Sequence, residues 1–147
     1  MAETEKFAQD FVAQLLPKKD EATLVALSGE LGSGKTTFVQ CAARTLGVKE
    51  NITSPTFVLI KSYKLQVASY KNLYHIDAYR LESGAELAKL GFEEIVANPQ
   101  NLIFLEWPER VSKVLPANFL TIKFAFIGEA TRAIEYRKPP RPSATPP

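Results

Sequence analysis

The sequence predicts an α/β fold, in which a central, mostly parallel sheet with antiparallel hairpins carries helices on both faces. Two short, uninterrupted apolar runs, at 24–27 and 102–105, are typical of strands that are buried on both faces. Segments with the apolar spacing of helices alternate with these strand-like runs, which is the pattern of sheets built with crossover helices. The chain has 147 residues, a length that favours one domain with a sizeable core.

The individual elements follow from the apolar periodicity and from glycine and proline. Phe7, Phe11 and Leu15 recur every four residues, and Thr4 is a suitable N-cap for the helix that they mark. The predicted helices cover 4–16, 38–46 and 84–97, and Gly91 interrupts the third. The predicted strands cover 24–27, 57–60, 73–76, 102–105, 119–127 and 132–136. The mixed link 61–72 is compatible with one long hairpin, and the last two strands predict a closing hairpin.

The end of the chain differs from the rest in composition. We expect one folded domain over 1–137 and a proline-rich, basic and disordered tail over 138–147. The net charge is +2, and Arg137, Lys138 and Arg141 lie at this end without an acidic neighbour. Leaving those three out of the 18 basic residues gives 15 against 16 acidic ones, so the body is nearly neutral. This balance disfavours a direct nucleic-acid binder.

The composition excludes several classes of protein. No apolar run approaches the roughly 18–20 residues of a membrane span, and the acidic, polar start of the sequence does not resemble a secretory signal. A single cysteine, Cys41, cannot form an internal disulfide or a cysteine-rich zinc site, which favours a reducing compartment. We therefore expect a cytoplasmic protein with no membrane partner.

The glycine cluster carries the chemistry of the sequence. Residues 29–36, Gly-Glu-Leu-Gly-Ser-Gly-Lys-Thr, match the phosphate-binding pattern G-x-x-x-x-G-K-[ST], between a predicted strand and a predicted helix. Backbone N–H groups of such a loop surround phosphate oxygens, while Lys35 supplies a cation and the Thr36 hydroxyl is placed for Mg²⁺. The fold expected from this motif is the three-layer fold of P-loop NTPases.

Two acidic residues end predicted strands. Asp77 follows the strand 73–76 and Glu106 follows the strand 102–105. Ligands of open α/β sheets gather at the carboxyl ends of the strands, so both carboxylates are candidates for the metal and for positioning a nucleophile. The alternative for each is a solvated carboxylate at a strand end.

Further polar residues lie close to these acids in the sequence. Thr53, Ser54 and Thr56 form a hydroxyl-rich loop that is either a switch-like sensor of the γ-phosphate or an ordinary turn. His75 is two residues from Asp77, hence on the same strand face, and either orients that carboxylate, transfers protons or is a structural histidine. Arg80 either neutralises phosphate charge or pairs with an acid.

Taken together, these motifs resemble the TsaE (YjeE) family, whose members are small ATPases of bacterial tRNA threonylcarbamoyladenosine biosynthesis. The resemblance runs in order from the first helix to about residue 136 and omits the tail. The elements Tyr-His-Ile-Asp-Ala-Tyr-Arg-Leu and Leu-Glu-Trp-Pro-Glu-Arg are more diagnostic than the P-loop. The matching segments are 29–38, 53–57, 74–81, 90–94, 105–110 and 115–116.

The resemblance implies an ATPase that binds ATP with Mg²⁺ and works with the TsaD and TsaB proteins, and so with tRNA indirectly. TsaD transfers the threonylcarbamoyl group to the tRNA adenosine next to the anticodon. By position, Lys35, Asp77 and Glu106 are the catalytic candidates, and Thr36, Asp77 and Glu106 the metal ligands. The implied ATP-binding residues are Glu30, Leu31, Gly32, Ser33, Gly34, Lys35, Thr36, Thr37 and Trp107.

Two other functions are compatible with a P-loop. A small-molecule kinase usually closes an arginine-rich lid on the phosphates, and no such segment is evident before the tail. A non-hydrolysing switch would use ATP only to set its shape. The missing N-K-x-D element counts against a Ras-like GTPase.

Overall fold

The structure is a computed structural model that describes residues 2–30, 32, 34–52, 59–66, 69–127 and 131–137. The tail 138–147, and with it the predicted disorder, lies outside the described residues. The helices are α1 (Ala2–Gln14), α2 (Lys35–Thr45), α3 (Gly84–Lys89) and α4 (Phe92–Val96), and Pro108–Val114 form a 3₁₀ segment. The strands are β1 (Thr23–Ser28), β2 (Ile60–Lys64), β3 (Asn72–Asp77), β4 (Asn101–Glu106), β5 (Leu120–Ile127) and β6 (Thr131–Arg137).

The six strands form one sheet in the order β2-β3-β4-β1-β5-β6. The four central strands pair in parallel, while β2 and β6 are antiparallel to their neighbours at the two edges. The predicted α/β fold with a mostly parallel sheet and antiparallel hairpins is therefore confirmed. Because β1, β3 and β4 run in the same direction, their carboxyl ends meet at one edge of the sheet, where Leu27, Asp77 and Glu106 lie in register.

The two faces of the sheet are covered by different helices. Alternate residues of β4 point to opposite sides, so Phe104 packs with α1 and α2, while Leu105 packs with α3, α4 and the 3₁₀ segment. In β1 both sets of side chains are buried, because helices cover both faces. This arrangement explains the uninterrupted apolar runs in the sequence.

An aromatic cluster fixes α2 on its face of the sheet. The fully buried ring of Phe38 lies 5.7–5.8 Å from the ring centroids of Phe7, Phe11, Phe104 and Phe124. Such tilted and edge-to-face contacts add to the free energy of burial. Since Phe38 lies one turn after Lys35, the cluster also determines where the first turn of α2 sits above the sheet.

Several predicted boundaries are wrong. Helix α1 begins at Ala2, so Thr4 lies inside the helix and is not its N-cap; Glu3 and Glu5 favour an early start by their charge at the helix N-terminus. Strand β2 begins only at Ile60 because Leu59 has a positive φ of 66°, and Phe57 and Val58 lie outside the described residues. Strand β6 ends at Arg137, one residue beyond the predicted strand 132–136.

In the part of the chain that the structure describes, no helix combines the length and the apolar character that a membrane crossing requires.

Gly91 separates α3 from α4, as its place in the predicted helix 84–97 suggested. Its φ is +88°, and a Cβ added there would meet nothing within 4 Å. We therefore expect Gly91→Ala to lower the free energy of unfolding by about 1–2 kcal/mol through backbone strain alone. Urea denaturation measures this loss, and Gly91→Asn is the control because asparagine tolerates the left-handed region better. An alanine variant as stable as the wild type would contradict the assignment.

Candidate functional site

The first turn of α2 brings two predicted site residues to the edge of the sheet. Gly34 precedes the helix with a φ of 106°, and its carbonyl accepts the first helical hydrogen bond, from the Phe38 N–H at 2.9 Å. A side chain is strained at this φ, which explains the glycine. Lys35 and Thr36 are then the first two residues of the helix, directly after the loop that follows β1.

The structure describes some of the predicted ATP-binding residues and leaves others out. Glu30 and Gly32 are exposed, whereas Thr37 is half-buried in α2. Leu31 and Ser33 lie outside the described residues, and so do Thr53, Ser54 and Thr56 of the predicted switch-like loop.

Lys35 is a buried cation, with a relative exposure of 4%. Its ammonium donates a hydrogen bond to the Gly29 carbonyl and lies 3.7 Å from the centroid of the Trp107 ring. Burial lowers the pKa of Lys35 below its ordinary value, and the charges of Glu106, Glu109 and Asp77 oppose that shift. A desolvated cation held beside carboxylates is suited to bind an anion that enters the site.

Glu106 is the polar centre of the site. It is the last residue of the fully buried strand β4 and has a relative exposure of 4%. Its Oε2 accepts a hydrogen bond from the Thr36 hydroxyl at 3.3 Å and lies 2.6 Å from Nε2 of His75. The carboxylate predicted from the end of an apolar strand thus touches the hydroxyl predicted from the P-loop.

Asp77 lies beside Glu106 on the neighbouring strand. The two residues are register partners at the ends of β3 and β4. Asp77 is half-buried, and its Oδ1 accepts a hydrogen bond from the Tyr79 N–H at 3.0 Å, which closes a turn after the strand. Its position fits the predicted pair of acids at the sheet edge.

The donor set of this site fits Mg²⁺. The Thr36 hydroxyl and the carboxylates of Glu106 and Asp77 offer only oxygen ligands, which this ion prefers. Among the described residues, no group of three or more His, Cys, Asp and Glu side chains could hold a metal ion. Mg²⁺ usually takes one or two carboxylates together with water and substrate phosphates.

Trp107 links the buried site to its rim. Its backbone is left-handed, with φ 62° and ψ 53°, at the turn between β4 and the 3₁₀ segment. Its ring lies over Lys35 on one side and 4.9 Å from the Tyr79 ring, on which the Arg110 guanidinium lies at 5.5 Å. A strained residue that persists beside charged groups is typical of a functional site.

Sequence reasoning missed three members of this arrangement, namely the Gly29 carbonyl, Tyr79 and Arg110. Tyr79 and Trp107 follow the strand-end acids Asp77 and Glu106 within two residues, so a correct strand order would have placed them together. That order cannot be read from apolar periodicity.

His75 and Arg80 differ in their relation to the site. His75 lies next to Glu106 and is fully buried, so its neighbour is this carboxylate rather than the Asp77 carboxylate considered from the sequence. Arg80 is exposed in the turn after β3. Cys41 is buried in α2, in agreement with a core role.

Comparison with known proteins extends these observations. The family described as "Threonylcarbamoyl adenosine biosynthesis protein TsaE" matches residues 1–134. The chain is 38% identical over 115 residues to the tRNA threonylcarbamoyladenosine biosynthesis protein TsaE of Treponema pallidum, covering 78% of this chain and 82% of that protein. It is 35% identical over 137 residues to the TsaE protein of Rickettsia typhi, covering 92% and 89% of the two chains.

A solved structure resembles the fold over most of its length. The crystal structure of Bacillus subtilis YdiB superposes with a TM-score of 0.73 and 30% sequence identity, over 92% of this chain and 78% of that one. The TsaE protein of Bacillus subtilis is 36% identical over 113 residues, covering 77% of this chain and 68% of that protein.

Proposed function

Because this chain belongs to the TsaE family of tRNA threonylcarbamoyladenosine biosynthesis, we propose that it is the subunit that binds and hydrolyses ATP with Mg²⁺. The hydrolysis supports formation of the threonylcarbamoyl group on the tRNA adenosine next to the anticodon. TsaD and TsaB are the proposed partners, and tRNA is contacted indirectly. The proposed location is the cytoplasm.

One observation carries the nucleotide-binding part of this proposal. Lys35 and Thr36 begin a helix whose first turn lies against Glu106, at the carboxyl end of a central parallel strand. Phosphates bind at helix N-termini because free N–H groups and the helix dipole favour negative charge there. A buried ammonium in the same turn adds a full positive charge.

The site residues have distinct proposed roles. Lys35 binds the phosphates, while Thr36, Asp77 and Glu106 would hold Mg²⁺, which neutralises phosphate charge when bound. Glu106 is fixed by two hydrogen-bonding neighbours, so its carboxylate is oriented before any ligand enters. Trp107 packs over the ammonium of Lys35 and shields it from solvent.

The proposed coupling to partner proteins rests on the family. The Tyr79 ring, 38% exposed, and the exposed Arg110 connect Trp107 to the protein surface. A partner that contacts this rim would be connected to Lys35 through the two mutually tilted rings of Tyr79 and Trp107. We therefore expect low hydrolysis by the isolated chain and faster hydrolysis with TsaD and TsaB.

The fluorescence of Trp107, the one tryptophan of the chain, tests nucleotide binding directly. ATP phosphates should compete with the indole ring for the Lys35 ammonium, which lies 3.7 Å from the ring centroid. We expect ATP to change the emission of Trp107 in a saturable way, and more strongly with Mg²⁺ than with EDTA. Adenosine, which lacks phosphates, is the control and should have little effect. An emission that ATP leaves unchanged, together with no retention of ATP by the protein in equilibrium dialysis, would contradict the proposal.

A further inference from the structure

His75 is a buried polar residue to which the function proposed above assigns no contact with nucleotide or metal. It is the one histidine of the chain, lies on the central strand β3, and has no exposed surface. Leu73 of the same strand and Phe104 of β4 belong to the apolar core beneath α2. Placing an imidazole there costs free energy unless its nitrogens are hydrogen-bonded.

The contact with Glu106 repays part of that cost. Nε2 of His75 lies 2.6 Å from Oε2 of Glu106, across the parallel strands β3 and β4. A carboxylate that binds a metal is ionised and only accepts hydrogen bonds, so a role of Glu106 as metal ligand requires the His75 tautomer with the proton on Nε2. The other ring nitrogen, Nδ1, is buried and has no hydrogen-bond partner among the described residues. Among the described residues, the contact with Glu106 is therefore the one hydrogen-bonding contact of the His75 ring.

That contact restricts the orientation of Glu106. Oε2 has the Thr36 hydroxyl at 3.3 Å as its second neighbour, so two donors from different elements meet at the same oxygen. Two such bonds limit rotation of the carboxylate about its last torsion. Carboxylates that bind metals are commonly oriented by a hydrogen bond from a neighbouring side chain, and loss of that neighbour typically weakens metal affinity roughly 10- to 100-fold.

We propose that His75 is a positioning residue, whose Nε2–H fixes the Glu106 carboxylate in the orientation that binds Mg²⁺ with the nucleotide. This inference rests on the proposed function, since it assumes that Glu106 is a metal ligand. His75 itself contacts neither metal nor nucleotide.

The ring spectrum of His75 tests the contact without any ligand. Because the chain has a single histidine, its ¹⁵N-labelled imidazole gives one pair of ring nitrogen signals. We expect Nε2 to carry a proton in the ligand-free protein. A spectrum with the proton on Nδ1 and a bare Nε2 would overturn the proposal.

Two substitutions separate positioning from packing. His75→Leu removes the donor, whereas His75→Gln restores an N–H group, because Nε2 of both residues lies three bonds from Cβ. In Mg²⁺ titrations with ATP, followed by Trp107 fluorescence, we expect the leucine variant to need roughly 10- to 100-fold more Mg²⁺ for half-saturation. The glutamine variant should stay within about threefold of the wild type, and ATP binding in EDTA should be unchanged in both.

Leu73→Val is the matched control, because it removes buried volume from the same strand without touching Glu106. An unchanged Mg²⁺ midpoint in folded His75→Leu, or a glutamine variant shifted by about tenfold or more, would overturn the inference. If His75→Leu does not fold, the ring spectrum of His75 and the Mg²⁺ midpoint of His75→Gln still test whether His75 positions Glu106. If ATP binding by the wild type does not depend on Mg²⁺, the proposed function is contradicted instead. The ¹⁵N ring spectrum of His75 would then still test its contact with Glu106.

Discussion

Lys35→Ala is expected to lower ATP binding and phosphate release by about 100- to 1000-fold, the size typical for loss of one preorganised charge-stabilising group. The ammonium is buried between the Gly29 carbonyl and the Trp107 ring, and alanine removes its charge from that position. Equilibrium titration with ATP measures the loss of binding, and phosphate release measures the loss of turnover.

The exposed Lys89, at the end of α3, provides the matched control for this substitution. Lys89→Ala makes the same change in net charge on the opposite face of the sheet, and we expect wild-type binding and turnover. A folded Lys35→Ala variant that binds ATP as tightly as the wild type would contradict the assigned role.

Glu106→Gln is expected to reduce Mg²⁺-dependent phosphate release by about 100-fold or more while leaving the fold intact. Glutamine retains an oxygen that accepts hydrogen bonds from His75 and Thr36, but it lacks the negative charge that attracts the cation. Because glutamine has the shape of glutamate and keeps an acceptor oxygen for His75 and Thr36, we expect the variant to remain folded. Thermal or urea denaturation measures its stability.

Comparison of Glu106→Ala with Glu106→Gln separates the effect of the lost charge from the effect of the lost hydrogen-bond acceptor. The alanine variant removes the acceptor as well, so the buried Nε2–H of His75 loses its partner and the free energy of unfolding should fall by about 1–3 kcal/mol. Glu93→Gln, at an exposed position of α4, is the control with the same charge change. Normal turnover in either Glu106 variant would remove this residue from the metal site.

The sequence predicts those parts of the fold that depend on local patterns. Strands β1 and β4 were predicted because both of their faces are buried, which leaves an uninterrupted apolar run. The break between α3 and α4 was marked by Gly91, whose left-handed φ only glycine adopts without strain. These signals lie within a few residues of the feature that they predict.

Features that depend on distant residues were not predicted. The start of β2 is displaced by the positive φ of Leu59, a residue with no local signal for that conformation. Similarly, alternation along β3 suggested Asp77 as the partner of His75, whereas the partner is Glu106, on the adjacent parallel strand. The strand order that creates this pair is a property of the whole sheet.

The candidate site shows the same division. The P-loop residues Lys35 and Thr36 and the strand-end acids were recognised from residue type and position. The contacts among Trp107, Tyr79 and Arg110 were not, because they join the segments that follow β3 and β4. The P-loop motif alone therefore predicts the phosphate site, whereas the contacts that connect this site to the protein surface are seen only in the structure.

Phosphate release by the purified chain, with and without TsaD and TsaB, tests the central claim most directly. We predict slow, Mg²⁺-dependent release by the isolated chain, faster release when both partners are added, and loss of the stimulated rate in Lys35→Ala. A rate that both partners leave unchanged would contradict the account, and so would ATP binding without release under any of these conditions.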